Sequence, residues 1–336
     1  MTPRWALLID GVDRTARFAD LVQSLRLVDA PGTESDAIDL VLYHPDAALP
    51  VPSYGQQIEV RLWYDEQPDQ VRRQVGKVNE LAIAGWPITV SVRATGVDYS
   101  SQMKERRTQS WDGVTLGDMV RSIAARYDLQ PRVDEWLAAV DVPHLDQQNE
   151  SDMALLTRLG AQYDAQAVQR GGYLVLAQRG TGTAQTLSGA SRPAITITPA
   201  NLAPASHAGP LNFAWQSGGQ PQWAAVEVQW HDTATAQTRT VHTSDATPVR
   251  RLTYQAATEA EAIEHARAEL ARIQRATAEV RLSIYGDPRI ASETPIDLTG
   301  FHPSVDGRWV TARVEHLLGS DYTTTLTATP PSGRRG

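Results

Sequence analysis

The chain contains no cysteine. A disulfide framework, a thiolate zinc site and a cysteine nucleophile are therefore excluded, which bounds the chemistry more than the compartment. Long apolar runs are also missing. The longest early one, Trp5 to Ile9, covers five residues, follows a single arginine and ends at Asp10. It is too short and too polar for a signal peptide or a membrane span, and no later stretch approaches the ~18 consecutive apolar residues of a spanning helix. The sequence thus predicts a protein with no membrane anchor, made and kept in the cytoplasm unless another machine carries it out. Positive charge is neither in excess nor gathered, since the net charge is -8 and the 31 lysines and arginines are spread along the chain. Without a basic stripe, stable nucleic-acid binding is not expected.

What is present describes a packed globular protein. A 41% hydrophobic and 21% charged composition supplies ample core, which excludes a disordered or fibrous chain. At roughly 150 residues per domain, 336 residues predict two or three compact units.

Up to about Thr95 the pattern is that of strands. Ile58, Val60, Leu62 and Tyr64 alternate with Glu59, Arg61 and Trp63, and Ile88, Val90, Val92 and Ala94 alternate with Thr89, Ser91, Arg93 and Thr95. This is the period of two of a half-buried sheet. Turn residues at Asp10-Gly11, Pro31-Gly32, Pro50 to Gly55 and Gly85-Trp86-Pro87 punctuate the runs. The region reads as an antiparallel sheet or barrel.

Beyond Thr108 the period changes. Leu116, Met119, Val120, Ile123, Ala124 and Tyr127 follow helical spacing, with Thr115 and Asp118 placed as a capping box. A second helix carries Met153, Leu156, Leu159 and Tyr163 behind the polar run Asn149-Glu150-Ser151-Asp152, which suits an N-cap and first turn. A short strand, Tyr173 to Ala177, follows Gly171-Gly172. Residues 180 to 222 are rich in Gly, Ser, Thr, Ala and Pro and read as connection and loop, with one β-like stretch from Ala194 to Thr198. Strand patterning returns at Val226, Val228 and Trp230, at Val280, Leu282 and Ile284, and in the pair Trp309 to Leu318 and Tyr322 to Ala328. Between them lies a long helix. Thr258 and Glu261 are spaced as its capping box, Ile263, Ala266, Leu270 and Ile273 as its buried stripe, and Glu264, Arg267, Glu269, Arg272 and Arg275 as a solvated face or a subunit contact.

Motifs that carry chemistry are lacking. There is no G-x-S-x-G elbow, and Ser191 and Ser217 fall in glycine-bearing loops. Gly171-Gly172 and Gly218-Gly219 have neither a phosphate-loop lysine nor a strand-to-helix frame and read as turns. The best candidate for a metal or acid/base cluster is the run from His144 to Asp152, with one imidazole and the carboxylates of Asp146, Glu150 and Asp152. It has neither H-x-x-x-H spacing nor a D-x-[DN]-x-[DN]-G loop, so its acids read as the first turn of the following helix. His231, His242, His302 and His316 stand in or beside strands without a partner at ligand spacing. Catalytic, cofactor-binding and metal residues are accordingly expected to be none. Paired carboxylates for glycoside hydrolysis depend on a separation in space, which leaves a cell-wall glycan-binding or glycan-hydrolysing tail protein as the alternative.

Several of these stretches resemble one family. Arg106-Arg107-Thr108-Gln109-Ser110-Trp111, then Thr115 to Val120 and Ile123 to Tyr127, look like the middle of late control protein D. The run from His144 to Met153, with Leu156, Arg158 and Leu159, is the most specific part. Trp230-His231-Asp232, Tyr254 to Ala262, and Glu293-Thr294-Pro295 through Leu298, Gly300-Phe301 and Pro303 continue the likeness in matching order. The family is similar to the hub portion of the valine-glycine repeat protein G of type VI secretion.

The resemblance implies a mainly β (α+β) fold with two β-barrel-like domains and an inserted small α/β domain. The expected boundaries are a first barrel at 1–104, a connecting α/β unit at 105–180, linker and loop at 181–222, a second barrel with one long helix at 223–330, and a flexible tail at 331–336. It also implies a baseplate hub of a contractile tail in the virion, a homotrimer assembled in the host bacterial cytoplasm. The implied partners are a tail-spike protein, a tail tube or tube-initiator protein, and a tape-measure protein. No catalytic residue or cofactor is carried over.

Overall fold

The computed structural model describes residues 2–30, 36–44, 51–86, 88–96, 101–170, 172–182, 193–204, 212–218, 223–232 and 234–332. The turn at Pro31-Gly32, Ser191 and the tail from 333 onward lie outside them. Strands predominate, as the alternation predicts. The first region comprises β1 (Pro3–Ile9), β2 (Val12–Asp13), the one-turn helix α1 (Thr15–Phe18), β3 (Val22–Asp29), β4 (Ala37–His44), β5 (Gln57–Tyr64), β6 (Gln67–Ala84) and β7 (Ile88–Thr95). Ile58, Val60, Leu62, Val90, Val92 and Ala94 all point into one core with Leu7, Leu25, Leu27 and Leu40. Glu59, on the opposite side of β5, is buried as well, because Arg73 grips both its oxygens at 2.7 and 2.8 Å and Arg61 adds a third bond at 2.6 Å.

The 18-residue strand β6 is long enough to pair with two neighbours in turn. Its first half pairs with β5, and from Lys77 onward it pairs with β7 instead. Gly76 sits at the changeover, where a Cβ would lie 3.0 Å from the Thr95 carbonyl oxygen. Only a residue without a side chain lets the backbones approach this closely.

The inserted unit follows. Its elements are β8 (Arg106–Thr115), α2 (Leu116–Arg126), β9 (Gln130–Val133), α3 (Glu135–Ala138), β10 (Asp141–Ser151), α4 (Asp152–Gln162), β11 (Ala165–Arg170) and β12 (Tyr173–Gln178). Strands β8 and β10 form an antiparallel ribbon, while β11, β12 and β9 form a three-stranded sheet. Leu116, Val120, Ile123, Met153, Leu156 and Leu159 meet in one core, as their helical spacing requires. The Thr115 hydroxyl accepts from the Asp118 N–H at 3.1 Å and the Asp118 carboxylate accepts from the Thr115 N–H at 3.1 Å, so the capping box forms.

The remaining strands divide differently from the sequence reading. Within 181–222, expected as linker, β13 (Ile195–Ile197) and β14 (Phe213–Ser217) join the main sheet. β13 falls in the β-like stretch Ala194 to Thr198, whereas β14 has no local signature; each is held by a distant partner, β13 by β19 (Pro295–Leu298) and β14 by β18 (Ala278–Tyr285). Residues 223–330 contribute to two sheets rather than one. Strands β15 (Ala225–Asp232), β16 (Gln237–His242) and β17 (Val249–Ala256) form a small sheet backed by helix α5 (Glu259–Arg275). Strands β18, β20 (Gly307–Leu318) and β21 (Tyr322–Thr329) instead extend the first region, because β20 pairs with β3 from Val314 opposite Asp29 to Leu318 opposite Leu25. The result is one 13-stranded sheet through both β regions.

Helix α5 also departs in detail from its pattern. The Thr258 hydroxyl caps the Glu261 N–H at 3.2 Å, but Glu261 reaches back to the Ala257 N–H and the Tyr254 hydroxyl, so the reciprocal half of the expected capping box is missing. Ala262, His265, Ala266, Ala268 and Ile273 form the buried face, so Ala266 and Ile273 of the expected stripe are buried as read, whereas Ile263 and Leu270 are only half-buried. Small residues are what let the helix settle onto β15. Among the described residues no helix is long and apolar enough to cross a membrane.

Candidate assembly site

The acidic run from His144 to Asp152 does not converge on a site. Strand β10 sends His144 and Asp146 to the exposed side, opposite Asp112 and Ser110 of β8, and turns Gln147 inward. His144 holds Asp112 at 2.5 Å through Nδ1 and Asp146 at 3.5 Å through Nε2; these contacts, Asp112 first, raise its pKa. Glu150 is taken by Arg158 at 2.8 and 3.1 Å. No group of three or more His, Asp or Glu side chains among the described residues is placed to hold a metal.

Asp152, the last acid of the run, is an internal anchor. Its fully buried carboxylate accepts from Arg126 at 2.7 Å, the Tyr127 hydroxyl at 2.7 Å and the Gln147 amide at 2.8 Å, with Arg107 at 3.4 Å. Burial alone would raise its pKa, but the bonds from Gln147, Tyr127 and Arg126 outweigh it and hold the group below the ordinary carboxylate value. Gln147 in turn accepts from the Trp111 indole at 3.3 Å. Two of the stretches that carry the family likeness, one with Arg107 and Trp111 and one with Gln147 and Asp152, thus meet in a single network. Their pattern specifies a core rather than a reaction.

A second network fastens the two β regions together. Asp29, fully buried, accepts from Arg72 at 2.6 Å and from the Ser292 hydroxyl and N–H at 2.6 and 3.1 Å. Gln74 donates to the carbonyls of Val28 and Ala37 at 3.0 and 2.8 Å. Nearby, His316 lies between the Thr324 hydroxyl, the Ile290 carbonyl and the Tyr322 hydroxyl, all within 3.0 Å, and burial pushes its pKa down to about 3. The Tyr64 hydroxyl reaches the Gly286 carbonyl at 2.8 Å, with its ring 5.6 Å from that of Tyr322. Nothing in the local pattern singles out Asp29 or Arg72, and His316 looked like one of several dispersed strand histidines.

Gly286 is packed directly under Tyr322, where a Cβ would fall 2.2 Å from the ring. Gly286→Ala must displace a buried tyrosine that also bonds His316, so a loss of about 1–3 kcal/mol is expected. Thermal unfolding of the variant beside Gly218→Ala, whose nearest neighbour is 3.9 Å away, checks it.

A third junction joins the inserted unit, helix α5 and the last strands. Arg275, expected on the solvated face of α5, turns inward to form a two-pronged ion pair with Asp164 and a bond to the Ser332 hydroxyl. Ser332 is itself buried and its N–H donates to the Gly180 carbonyl at 2.7 Å, so the start of the expected tail is anchored. Glu293 accepts from the Gly180 N–H at 2.8 Å in the same junction, and Arg179, Arg275 and Asp164 surround it. Burial raises its pKa to about 7 against the pull of the Gly180 N–H and the two arginines.

A raised carboxyl pKa means that the folded state binds more protons, so the contribution of Glu293 to stability falls as pH rises from about 4.5 to about 7 and stays low above that. His316 acts in the opposite sense, since the unfolded chain protonates it below 6.5 while the fold resists down to about 3. Glu293→Gln should therefore flatten the loss of stability between pH 5 and 8, worth on the order of 3 kcal/mol at one pKa unit per 1.36 kcal/mol. Urea midpoints of both proteins across that range read the difference free of the His316 contribution.

Against this geometry stand the likenesses to known proteins. A probable baseplate hub protein of Escherichia phage P2 is 29% identical, over 97% of this chain and 92% of the relative. Among solved structures, a 43 kDa tail protein of prophage MuSo2 from Shewanella oneidensis superposes with a TM-score of 0.71 at 12% identity, covering 98% of this chain and 99% of the other. An E. coli component of the type VI secretion system superposes with a TM-score of 0.56 at 14% identity, covering 94% and 75%; at such identities these two show a shared fold. The family described as phage tail baseplate hub (GPD) matches residues 36–322, which contain the whole Asp152 network and most of the other two, Asp29 and Ser332 excepted, and the chain belongs to that family.

Proposed function

We propose that the chain acts as a trimeric ring that joins the tube of a contractile tail to its central spike, leaving a channel for DNA or a tape-measure protein. The family match over residues 36–322 carries this reading. Physical chemistry supports it. The buried charges are consumed in ion pairs within the first β region, within the inserted unit and between that unit and helix α5, and an acidic chain without a basic groove would not retain nucleic acid in transit. Closed rotational symmetry needs only one patch repeated to make a ring. In this reading the protein works by shape, without catalysis, within the tail of a particle assembled in the host cytoplasm. Its partners are the tube or its initiator, the spike and the tape measure.

If each chain offers two similar barrel surfaces, three chains meet a sixfold tube with nearly equivalent contacts. Superposition of residues 1–100 on 200–330 tests that symmetry. Solution mass paired with a low-resolution image is the direct experiment: a threefold ring supports the hub, and a stable twofold particle would remove it. Asp146→Asn with Glu150→Gln, both outside the buried anchor, should leave glycan turnover at background in either form.

A further inference from the structure

The inserted unit has a hydrophobic core of its own. Among the described residues that core runs from Met103 to Leu176 and shares no side chain with the cores of the main sheet or of helix α5. The unit is fastened to its surroundings by Asp164 on Arg275, by the Gly180 N–H on Glu293, by the Ser332 N–H on the Gly180 carbonyl, and by an edge-on contact of the Tyr163 and His265 rings at 5.2 Å. Three of these four contacts are polar. Alongside them lies a cleft of about 880 Å³, with Trp136 and Val140 of the inserted unit on one wall and Ile263 and Leu270 of α5 on the other. A unit with a complete core, held along one line of polar contacts beside open space, can tilt without opening either core.

Glu293 is the buried acid of that line. It belongs to the main sheet, where its N–H donates to the Thr311 carbonyl at 2.7 Å, and it stands in the left-handed backbone region at φ 60°. A non-glycine residue persists there only when its surroundings hold it. The charged groups that face it are Asp164 and Arg179 from the inserted unit and Arg275 from α5. On its own side, the neighbouring Ser292 carries Asp29, which is already joined to Arg72 at 2.6 Å. Arg275 is likewise engaged by Asp164, and the buried Nε of Arg179 has no hydrogen-bond partner among the described residues. We propose that Glu293 is a proton-controlled clasp: with its proton the inserted unit is held against α5 and the last strands, and without it the unit swings out more often while each core stays folded.

A neutral carboxyl still accepts from Gly180, whereas an ionised one in the closed junction has lost its water and gains too little from the arginines. Closed, the group therefore keeps its proton up to about pH 7; open to water, it releases it near 4.5. Closure is at full strength below 4.5, weakens as the pH rises and levels off above 7. By this linkage alone the open population grows about tenfold between pH 6 and 8.

Hydrogen exchange of the full chain at those two pH values, corrected for the intrinsic rate, reads the opening even when it is rare. The Gly180 and Ser332 N–H groups, both bonded across the junction, should lose about tenfold in protection, independently of urea below the unfolding transition. N–H groups inside α2, α4, β20 and β21 should stay better protected and respond to urea. In Glu293→Gln, neutral at both pH values, protection at Gly180 and Ser332 should be level. Protection that is flat from pH 6 to 8 in the parent overturns the clasp. So does protection that matches β20 and falls with urea in step with it, since the junction then opens only when the whole chain unfolds. A pH dependence retained in Glu293→Gln assigns the titration to another group and equally removes the proposal. If that variant does not fold, the two comparisons on the parent decide alone.

Discussion

Asp29→Ala is expected to lower the stability of the whole sheet by about 3–5 kcal/mol, the range for removing one partner of a buried ion pair. The carboxylate is fully buried and the Arg72 side chain is only 9% exposed, so water cannot replace what is lost. The variant also strands the Ser292 hydroxyl and N–H. Much of the loss is the cost of an uncompensated guanidinium, and the pair itself contributes less than the single substitution suggests. Asp29→Leu combined with Arg72→Met should therefore recover much of the stability. Urea unfolding of the single and double variants measures both effects. If Asp29→Ala alone is within 1 kcal/mol of the parent, the bonds from Asp29 to Ser292 do not fasten the two β regions.

Asp152→Ala should cost about 3 kcal/mol, at the lower end of the same range. Arg126 and Arg107 keep roughly a quarter of their side-chain surface in water, so their charges are partly solvated once the carboxylate is gone. The Tyr127 hydroxyl and the Gln147 amide also lose their acceptor. Hydrogen exchange should show protection falling first in β8, β10 and α4, the elements this network joins, with β18, β20 and β21 little changed. Uniform loss across both regions would mean that the inserted unit does not unfold on its own.

The two networks differ in how far the sequence announces them. Arg107, Trp111, Gln147 and Asp152 lie in stretches distinctive enough to carry a family likeness, and the run from His144 to Asp152 stood out by composition. Its chemistry was legible as acids at a helix start; that one acid turns inward was not, because Asp152 opens α4 and the spacing of that helix does not say that its first residue meets Arg126. Asp29, Arg72 and Ser292 were invisible, each an ordinary polar residue in an ordinary strand or loop.

By itself the sequence determined the periodic features. The inward faces of β5 and β7, helices α2 and α4 of the inserted unit and the Thr115 cap follow from spacing, because burial on one side of a strand or helix is a local demand on the chain. It also determined what is missing, since a chain without cysteine has no thiol chemistry. Only the tertiary structure decided that β20 lies beside β3, that β14 completes β18 and that Arg275 turns to Asp164. Those pairings join residues more than a hundred positions apart or cross a stretch without periodicity. A strand's own pattern states that an edge must be paired and a face covered; which distant strand does so depends on the register and curvature of the whole sheet.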